Sequence, residues 1–462
     1  MLRDVAFHAL RTAESSGASY AEARTQFTTY ELITADNGVL KEFSRVFRAG
    51  LGVRVLYEGR FGFSSTNDLS EVSVDKVIER AIAAARTSNR IEGLGDREVY
   101  KGRFTSYWKV RPEDIPDEIK TGFVLEVNKA GLEVDRIKSA VTRLGVQRDW
   151  RYVVSSDGVE LECETSLLGL AHLSVAFESG SMERVSDQES SVAGWEFIEG
   201  RNWEEFAINV SELAGEAVKA PLPPSGLIKA VVDPEMIGLI LHEAFGHASE
   251  GDLVASGMSM LKGKLGEEVA SPLVTILDDG LVDGGYFIPF DDEGSLKKKT
   301  VVVESGVLNS FLTNRETAAS LNLPVSGNGR AQDFTHIPKV RQTNFYMAPG
   351  DWSPDEMVKE VKEGIYLVGK GAMGGQVDTG AGTFTFSAGP SRLIKNGELG
   401  GLVRGVVVSG SILETLRGVE AVGKESRITT SVFGGCGKDG QSVRVGDGGP
   451  HVLIKELIVG GD

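Results

Sequence analysis

The stretch Asp233–Asp252, reading DPEMIGLILHEAFGHASEGD, constrains the fold of this chain more than any other, because it sets two of only six histidines and a glutamate inside a strongly apolar segment. Asp233 is suited to cap a helix, Pro234 to open it, and Glu235 to complement the positive end of its dipole. Met236, Ile237, Leu239, Ile240, Leu241, Ala244 and Phe245 leave almost no polar face, which predicts a helix buried on most sides. The rest of the chain must therefore wrap this helix and also satisfy His242, Glu243 and His247. A buried carboxylate and two buried imidazoles are costly unless paired or coordinated, and a divalent cation satisfies all three together. Metal-assisted hydrolysis is the first chemistry this pattern raises.

The spacing differs from the familiar zinc-peptidase motif HExxH, since HEAFGH is one residue longer. On a regular helix at about 100° per residue, His242 and His247 point about 140° apart. Either a π-turn widens the helix so that positions i and i+5 face one way, or the helix stops at Gly246 and His247 sits on the following loop. Glycine is a natural terminus, so the second arrangement is the expectation. A lone histidine is ordinarily a core or helix-end residue, whereas two flanking a glutamate on a capped apolar helix point to a metal.

A chain of 462 residues predicts two or three domains with a core that needs no disulfide staple. Its two cysteines, Cys163 and Cys436, lie in unrelated contexts, which points to a reducing cytoplasm. No apolar run approaches bilayer length, so a soluble, unexported protein is expected. A formal net charge of −17, with no basic run interleaved with aromatics, argues against nucleic acid as a partner.

In chain order, residues 1–16 have helical periodicity, and the β-rich segments 21–36 and 39–58 flank the hairpin signal Asn37-Gly38. A second helix is predicted over Val72–Thr87, then an irregular polar stretch, then a helix opening near Pro116. Strands are expected around Ile137–Gln147, Arg151–Ser155, Val159–Glu164 and Leu167–Glu178, about an Asp157-Gly158 turn, with a helix over Asn202–Lys219. The fold class expected is α+β. An N-terminal layered region of antiparallel strands and helices would span residues 1–220, with a sub-boundary near 90–115. The prolines of APLPPSG, residues 220–226, form a linker. Residues 227–462 would then be a glycine-rich, mainly antiparallel β domain carrying the metal-site helix, with one further helix over Ser353–Glu363.

Other motifs carry less. Gly369, Gly371 and Gly374 spell GxGxxG, but the glycine and β-branched run that follows does not open a helix. A strand bend or mobile loop beside the active site is therefore expected over a dinucleotide site. The acids Asp278, Asp279, Asp283, Asp291, Asp292 and Glu293 do not form an EF-hand, and solvated turns are the default expectation. Cys163 falls in a strand pattern and reads as core. Cys436, between glycines that allow close backbone approach, is by residue context alone an incidental cysteine.

HEAFGHASEGD resembles the HExxxH signature of the TldD/PmbA family, specifically its TldD-type metallopeptidases. The similarity extends to FDDEGSLKKKTVVVESGVLNSFLTNRETA from Phe290, SGNGRAQDFTHIPKVRQTNFYMAPGD from Ser326, CGKDGQSVRVGDGGPHVLIKELIVGG from Cys436 and GRFGFSSTND from Gly59. The resemblance implies that Cys436 joins His242 and His247 as a metal ligand, with Glu250, Asp252, His336 and His451 as alternative donors if it does not. A His–His–Cys set plus water suits an open tetrahedral zinc site, one ion per chain, although iron or cobalt would also fit a thiolate. Glu243 would be the general base. The resemblance further implies action on unfolded or small peptides, as a homodimer or with a PmbA (TldE)-type partner. An exposed sheet edge in the glycine-rich half would hold an extended peptide. The rival expectation is a non-catalytic modulator with a structural zinc.

Overall fold

Asn37 and Gly38 both adopt left-handed backbone angles, φ 51° and 75°, and join the two long antiparallel strands β1 (Tyr20–Asp36) and β2 (Val39–Tyr57) in a two-residue hairpin. The computed structural model describes residues 2–372 and 374–461. Helix α1 (Leu2–Ser15) precedes this hairpin, and β3 (Arg60–Thr66) and α2 (Glu71–Thr87) follow it. Beyond the short β4 (Lys101–Thr105), α3 (Asp117–Leu132) starts directly after Pro116. The four strands expected between 137 and 178 are two continuous ones, β5 (Ile137–Ser155) and β6 (Glu160–Glu178), and β7 (Ser181–Ser191) follows. Helices α4 (Glu196–Glu199) and α5 (Trp203–Ala217) complete this half.

These seven strands form one sheet in the order β3-β2-β1-β5-β6-β4, with β7 also on β6. All pairs are antiparallel except β4 with β6. The helices cover one face. Val74, Val77, Ile78, Ala81 and Ala85 repeat at helical spacing on α2 and, with Ala6, Ala9 and Ala13 of α1, pack on Ala21, Ala23, Leu51, Val53 and Val55. At the other end α3 and α5 bury Val124, Val127, Trp203 and Ala207 against Ile33, Leu144, Leu168 and Leu170.

The opposite face is polar and is buried by the C-terminal half. Asp291, Asp292 and Glu293, expected in solvated turns, are no more than 2% exposed. Arg54 Nε lies 2.9 Å from Glu22 and its Nη2 2.6 Å from Glu293; Arg151 Nη1 is 3.2 Å from Asp292. Asp278 is buried too, beside Lys297 Nζ at 3.0 Å, whereas Asp283 is exposed. Asp292 and Glu293 depart from the solvated-turn expectation because their cations, Arg151 and Arg54, come from distant strands and leave no local pattern.

The C-terminal half holds a thirteen-stranded, mainly antiparallel sheet. Its central strand β8 (Gly226–Val232) pairs parallel with Glu363–Leu367 and antiparallel with Gly446–Gly461. The chain runs from β8 straight into α6 (Pro234–Ile240), capped by Asp233 Oδ1, which accepts from Met236 N at 2.8 Å. Met236, Ile237, Ile240, Leu241, Ala244 and Phe245 belong to the largest apolar core. The helix expected over Ser353–Glu363 is shorter, Pro354–Lys359, because Glu363–Leu367 is taken into the sheet. The glycines after Val368 open a hairpin, Gly374–Asp378 with Thr383–Ser387, and not a helix. Gly369 N donates to Asp233 Oδ2 at 2.9 Å, so the motif packs against the start of α6. A Cβ there would lie 2.4 Å from that of Glu235.

Candidate metal centre

The helix does not end at Gly246. It widens after Ile240 into a π-turn, Leu241–Gly246, in which His247 N–H donates to His242 C=O, and a 3₁₀ turn, His247–Ser249, follows. Of the two arrangements allowed by the six-residue motif, the structure therefore takes the one not expected. Its cause is remote in sequence: Gln342 Nε2 also donates to His242 C=O, at 3.0 Å. A Cβ on Gly246 would lie 2.2 Å from Gln342 Oε1, so glycine here admits a neighbour and terminates nothing. The hydrogen bond from i+5 to i brings His242 and His247 together edge to face, with ring centroids 5.4 Å apart and planes nearly perpendicular at 84°.

Cys436 reaches the same place from a short hairpin, Cys436–Lys438 with Gln441–Val443. Its Sγ lies 3.2 Å from His247 Nε2. The donor atoms of His242, His247 and Cys436 all fall within 4.8 Å of one another, and His242 Nδ1 is buried without a hydrogen-bond partner. Arg341 donates to the Cys436 carbonyl and anchors the hairpin. Burial alone would raise the Cys436 thiol, but the two imidazoles overcome it and bring it down to about 5. Burial would lower His242, yet the Cys436 sulfur raises it to about 9. A thiolate between two imidazoles sharing protons is a donor set a soft-to-borderline cation fits by displacing those protons.

The residues around the donors orient them. Glu250, completely buried, faces His247 Nδ1 at 3.2 Å and accepts from Lys438 Nζ at 2.7 Å. Burial would raise Glu250, but His247 and then Lys438 bring it to about 2. An Nδ1–H committed to a carboxylate leaves Nε2 free to coordinate. Glu250 and Asp252, considered as alternative donors, are both held by Lys438. His336 pairs with Asp333 and His451 Nε2 lies 2.8 Å from the Tyr366 hydroxyl; neither joins the cluster. Cys163 is core, with its thiol raised by burial to about 11.

Glu243 points its carboxylate toward the same group, Oε2 3.8 Å from His247 Nε2, and its side chain is 40% exposed. It lines a cavity of about 230 Å³ with His242, Cys436, Gln188, Thr429 and Asp447. Two larger cavities share lining residues with it. One of about 510 Å³ shares Gln188 and Thr429, and one of about 450 Å³ shares Gly434. The cleft between the two sheets thus runs past the donor cluster.

Three family models match in order along the chain: PmbA/TldA metallopeptidase domain 1 over residues 21–85, the central domain over 110–219 and the C-terminal domain over 225–461. The chain belongs to the PmbA/TldD metallopeptidase family. As a member it is a metallopeptidase, a hydrolase. A metalloprotease of Methanocaldococcus jannaschii is 38% identical over 438 residues, covering 93% of this chain and 94% of the relative. A zinc metalloprotease TldD homolog of Saccharolobus solfataricus is 28% identical, covering 98% and 99%. The structure of TldE from Thermococcus kodakarensis superposes with a TM-score of 0.78 at 18% identity, covering 99% of this chain and 100% of that one, and shares the fold.

Within this PmbA/TldD fold, sequence reasoning missed Gln342, Arg341 and Lys438. Lys438 was within reach, two residues beyond Cys436 on a hairpin and so on the same face. Gln342 and Arg341 gave no local signal. Among the described residues no helix is long and apolar enough to cross a membrane.

Proposed function

We propose that this chain is a zinc-dependent peptidase that hydrolyses unfolded or small peptides, with His242, His247 and Cys436 holding one ion and Glu243 as general base. The observation that carries this is the convergence of the three donor atoms within 4.8 Å, with Cys436 brought from nearly two hundred residues away to the two histidines of one turn. The thiolate favours zinc among divalent cations of hydrolytic enzymes, and the Saccharolobus solfataricus relative is named a zinc metalloprotease. Zinc bound there supplies Lewis-acid polarisation of the scissile carbonyl and acidifies water. Glu243 takes the proton from the attacking water on a carboxylate oxygen and returns it to the departing amine, so no covalent intermediate on the protein is required. The Glu250–His247 hydrogen bond holds the imidazole in the coordinating tautomer.

An extended substrate is supported by the edge of strand Val419–Thr430. It is laddered to Gly446–Gly461 on one side, and its Thr429 and Thr430 line the metal cavity on the other. Backbone pairing there would accept many sequences. The family resemblance implies a dimer, with a second copy or with a TldE-type chain, and the fold shared with TldE is consistent with such a partnership; light scattering showing only fully active monomer would contradict that.

The test is Glu243→Gln, which keeps size and shape but removes the base. Zinc content should be retained while cleavage of an unstructured peptide falls by roughly 10²–10⁴-fold. A fully active, zinc-loaded variant would refute the base role. Loss of zinc together with activity would make Glu243 a ligand, and a wild type that cleaves no peptide would leave a structural zinc.

A further inference from the structure

The cavity of about 450 Å³ beside the metal cavity carries Arg48, Arg151, Arg330 and Arg444 on its walls against Asp149 and Asp333. Both acids are already engaged. Asp149 accepts from Gln26 at 2.6 Å and pairs with Arg151 at 2.7 Å. Asp333 faces His336 at 2.8 Å and pairs with Arg48 at 3.3 Å. Arg151 also pairs with Asp292.

Arg330 has no such partner. It is 3% exposed, spends Nη1 on the Gln342 carbonyl at 2.8 Å, and leaves Nε without any hydrogen bond. Among the described residues it forms no salt bridge. Burial, and then repulsion by Arg151, lower it to about 10. Arg444 is likewise without a carboxylate. Its Nε donates to Gln147 Oε1 at 3.0 Å and its Nη1 to the carbonyls of Ser431 and Gly434. Asp292 attracts Arg330 from beyond contact distance, but a buried guanidinium with no carboxylate in direct contact is costly, and a fold that retains one at a cavity wall provides an anion with a partly desolvated, pre-oriented donor fork. The position matters as well: Gly434 lines both this cavity and the metal cavity, and the Gln342 that accepts from Arg330 also donates to His242 C=O.

Resting on the peptidase reading above, we infer that this cavity is a carboxylate-binding subsite for the substrate, with Arg330 and Arg444 as specificity-determining residues. The group bound is the peptide's C-terminal carboxylate or an aspartate or glutamate side chain near the scissile bond. A cavity of this size takes a residue or two of an extended peptide, and the cleft between the sheets delivers it past the donor cluster.

The experiment compares three unstructured peptides of one sequence without other acids: the free acid, its C-terminal amide, and the amide with one glutamate introduced. Charge-assisted hydrogen bonds of about 1.5–3 kcal/mol predict a kcat/KM advantage of about ten- to a hundredfold for a carboxylate-bearing peptide over the plain amide, expressed in KM. Advantage for the free acid identifies the terminal carboxylate; advantage for the glutamate peptide identifies a side chain. Arg330→Gln should bring that ratio close to one, Arg330→Lys should restore part of it, and Arg444→Gln should reduce it. No preference in the wild type, or an undiminished one in both Arg330→Gln and Arg444→Gln, overturns the subsite. The wild-type comparison needs no variant, so misfolding of Arg330→Gln does not remove the test. Fluorescence anisotropy of the same peptides on the Glu243→Gln protein separates the two readings. Carboxylate-dependent binding without any wild-type hydrolysis would keep the subsite and discard the peptidase, and hydrolysis indifferent to carboxylate would do the reverse.

Discussion

His247 Nδ1 lies 3.2 Å from Oε2 of Glu250, a completely buried carboxylate, and Lys438 Nζ donates to the same oxygen at 2.7 Å. The imidazole is thereby fixed in tautomer and orientation before any cation arrives. Glu250→Gln keeps an acceptor of similar shape but removes the charge that strengthens the bond. Zinc affinity, measured by competition with a chromogenic chelator, should fall by about 10–100-fold, the usual cost of losing such a partner. Unchanged affinity would mean that Glu250 serves only to neutralise Lys438.

The π-turn rests on Gly246 and Gln342. With φ −62° and ψ −48°, Gly246 has ordinary helical angles, so alanine is excluded by space alone. Its Cβ would fall 2.2 Å from Gln342 Oε1, and Gln342 is fully buried. Gly246→Ala should destabilise the protein by about 1–3 kcal/mol through overpacking and weaken zinc binding by shifting His242 against His247. Gly246→Ala combined with Gln342→Ala should be less destabilised than the two effects summed, because the truncation vacates the contested space. Strict additivity in urea denaturation would show that the two residues do not compete.

This pair also marks where the sequence stops being readable. The helix start was legible because Asp233, Pro234 and Glu235 are local signals acting within one turn. The resemblance supplied Cys436, which composition alone left incidental. The choice between a π-turn and a helix end was not legible, since the deciding side chain is about a hundred residues away. The same holds for Asp291, Asp292 and Glu293: hydrophilic residues between strands look solvated until the sheet that covers them is known. Splitting β5 and β6 into four pieces had a related cause. Asp149 and Arg151 interrupt the apolar alternation of β5, but that side of the sheet is buried by ion pairs and not by hydrophobic contact.

That buried polar interface is open to test. Arg54 bridges Glu22 on β1 and Glu293 from the C-terminal half, and Glu293 also accepts from Asn314 and the Arg315 backbone. Arg54→Met strands two buried carboxylates and should cost about 3–5 kcal/mol. Adding Glu22→Gln and Glu293→Gln should recover much of the loss, since the uncompensated charges are then gone. A loss below about 1 kcal/mol, the ordinary range for a surface pair, would show that water reaches the network.

A pH effect independent of the metal centre comes from His172, which is 1% exposed beneath α5. Its ring faces three hydroxyls, Thr142 Oγ1 at 2.8 Å, Ser174 Oγ at 3.0 Å and Ser211 Oγ at 3.4 Å, and burial lowers it from 6.5 to about 4. The sign follows from where each state takes up its proton. Unfolded chains bind a proton on this imidazole as the pH falls through 6.5, while the folded protein resists until about 4. Above 6.5 both states are neutral and the folded protein suffers no penalty. Between 6.5 and 4 the unfolded state gains protons that the native state lacks, so stability falls steadily across that window, by about 3 kcal/mol from this residue. His172→Gln keeps a neutral side chain able to bond the same hydroxyls and has no proton to take up. Its urea-denaturation stability should decline less steeply than that of the wild type between pH 6.5 and 4, with carboxylates contributing alike to both. Parallel curves would mean that His172 charges in the folded state as readily as in water, against the burial seen here.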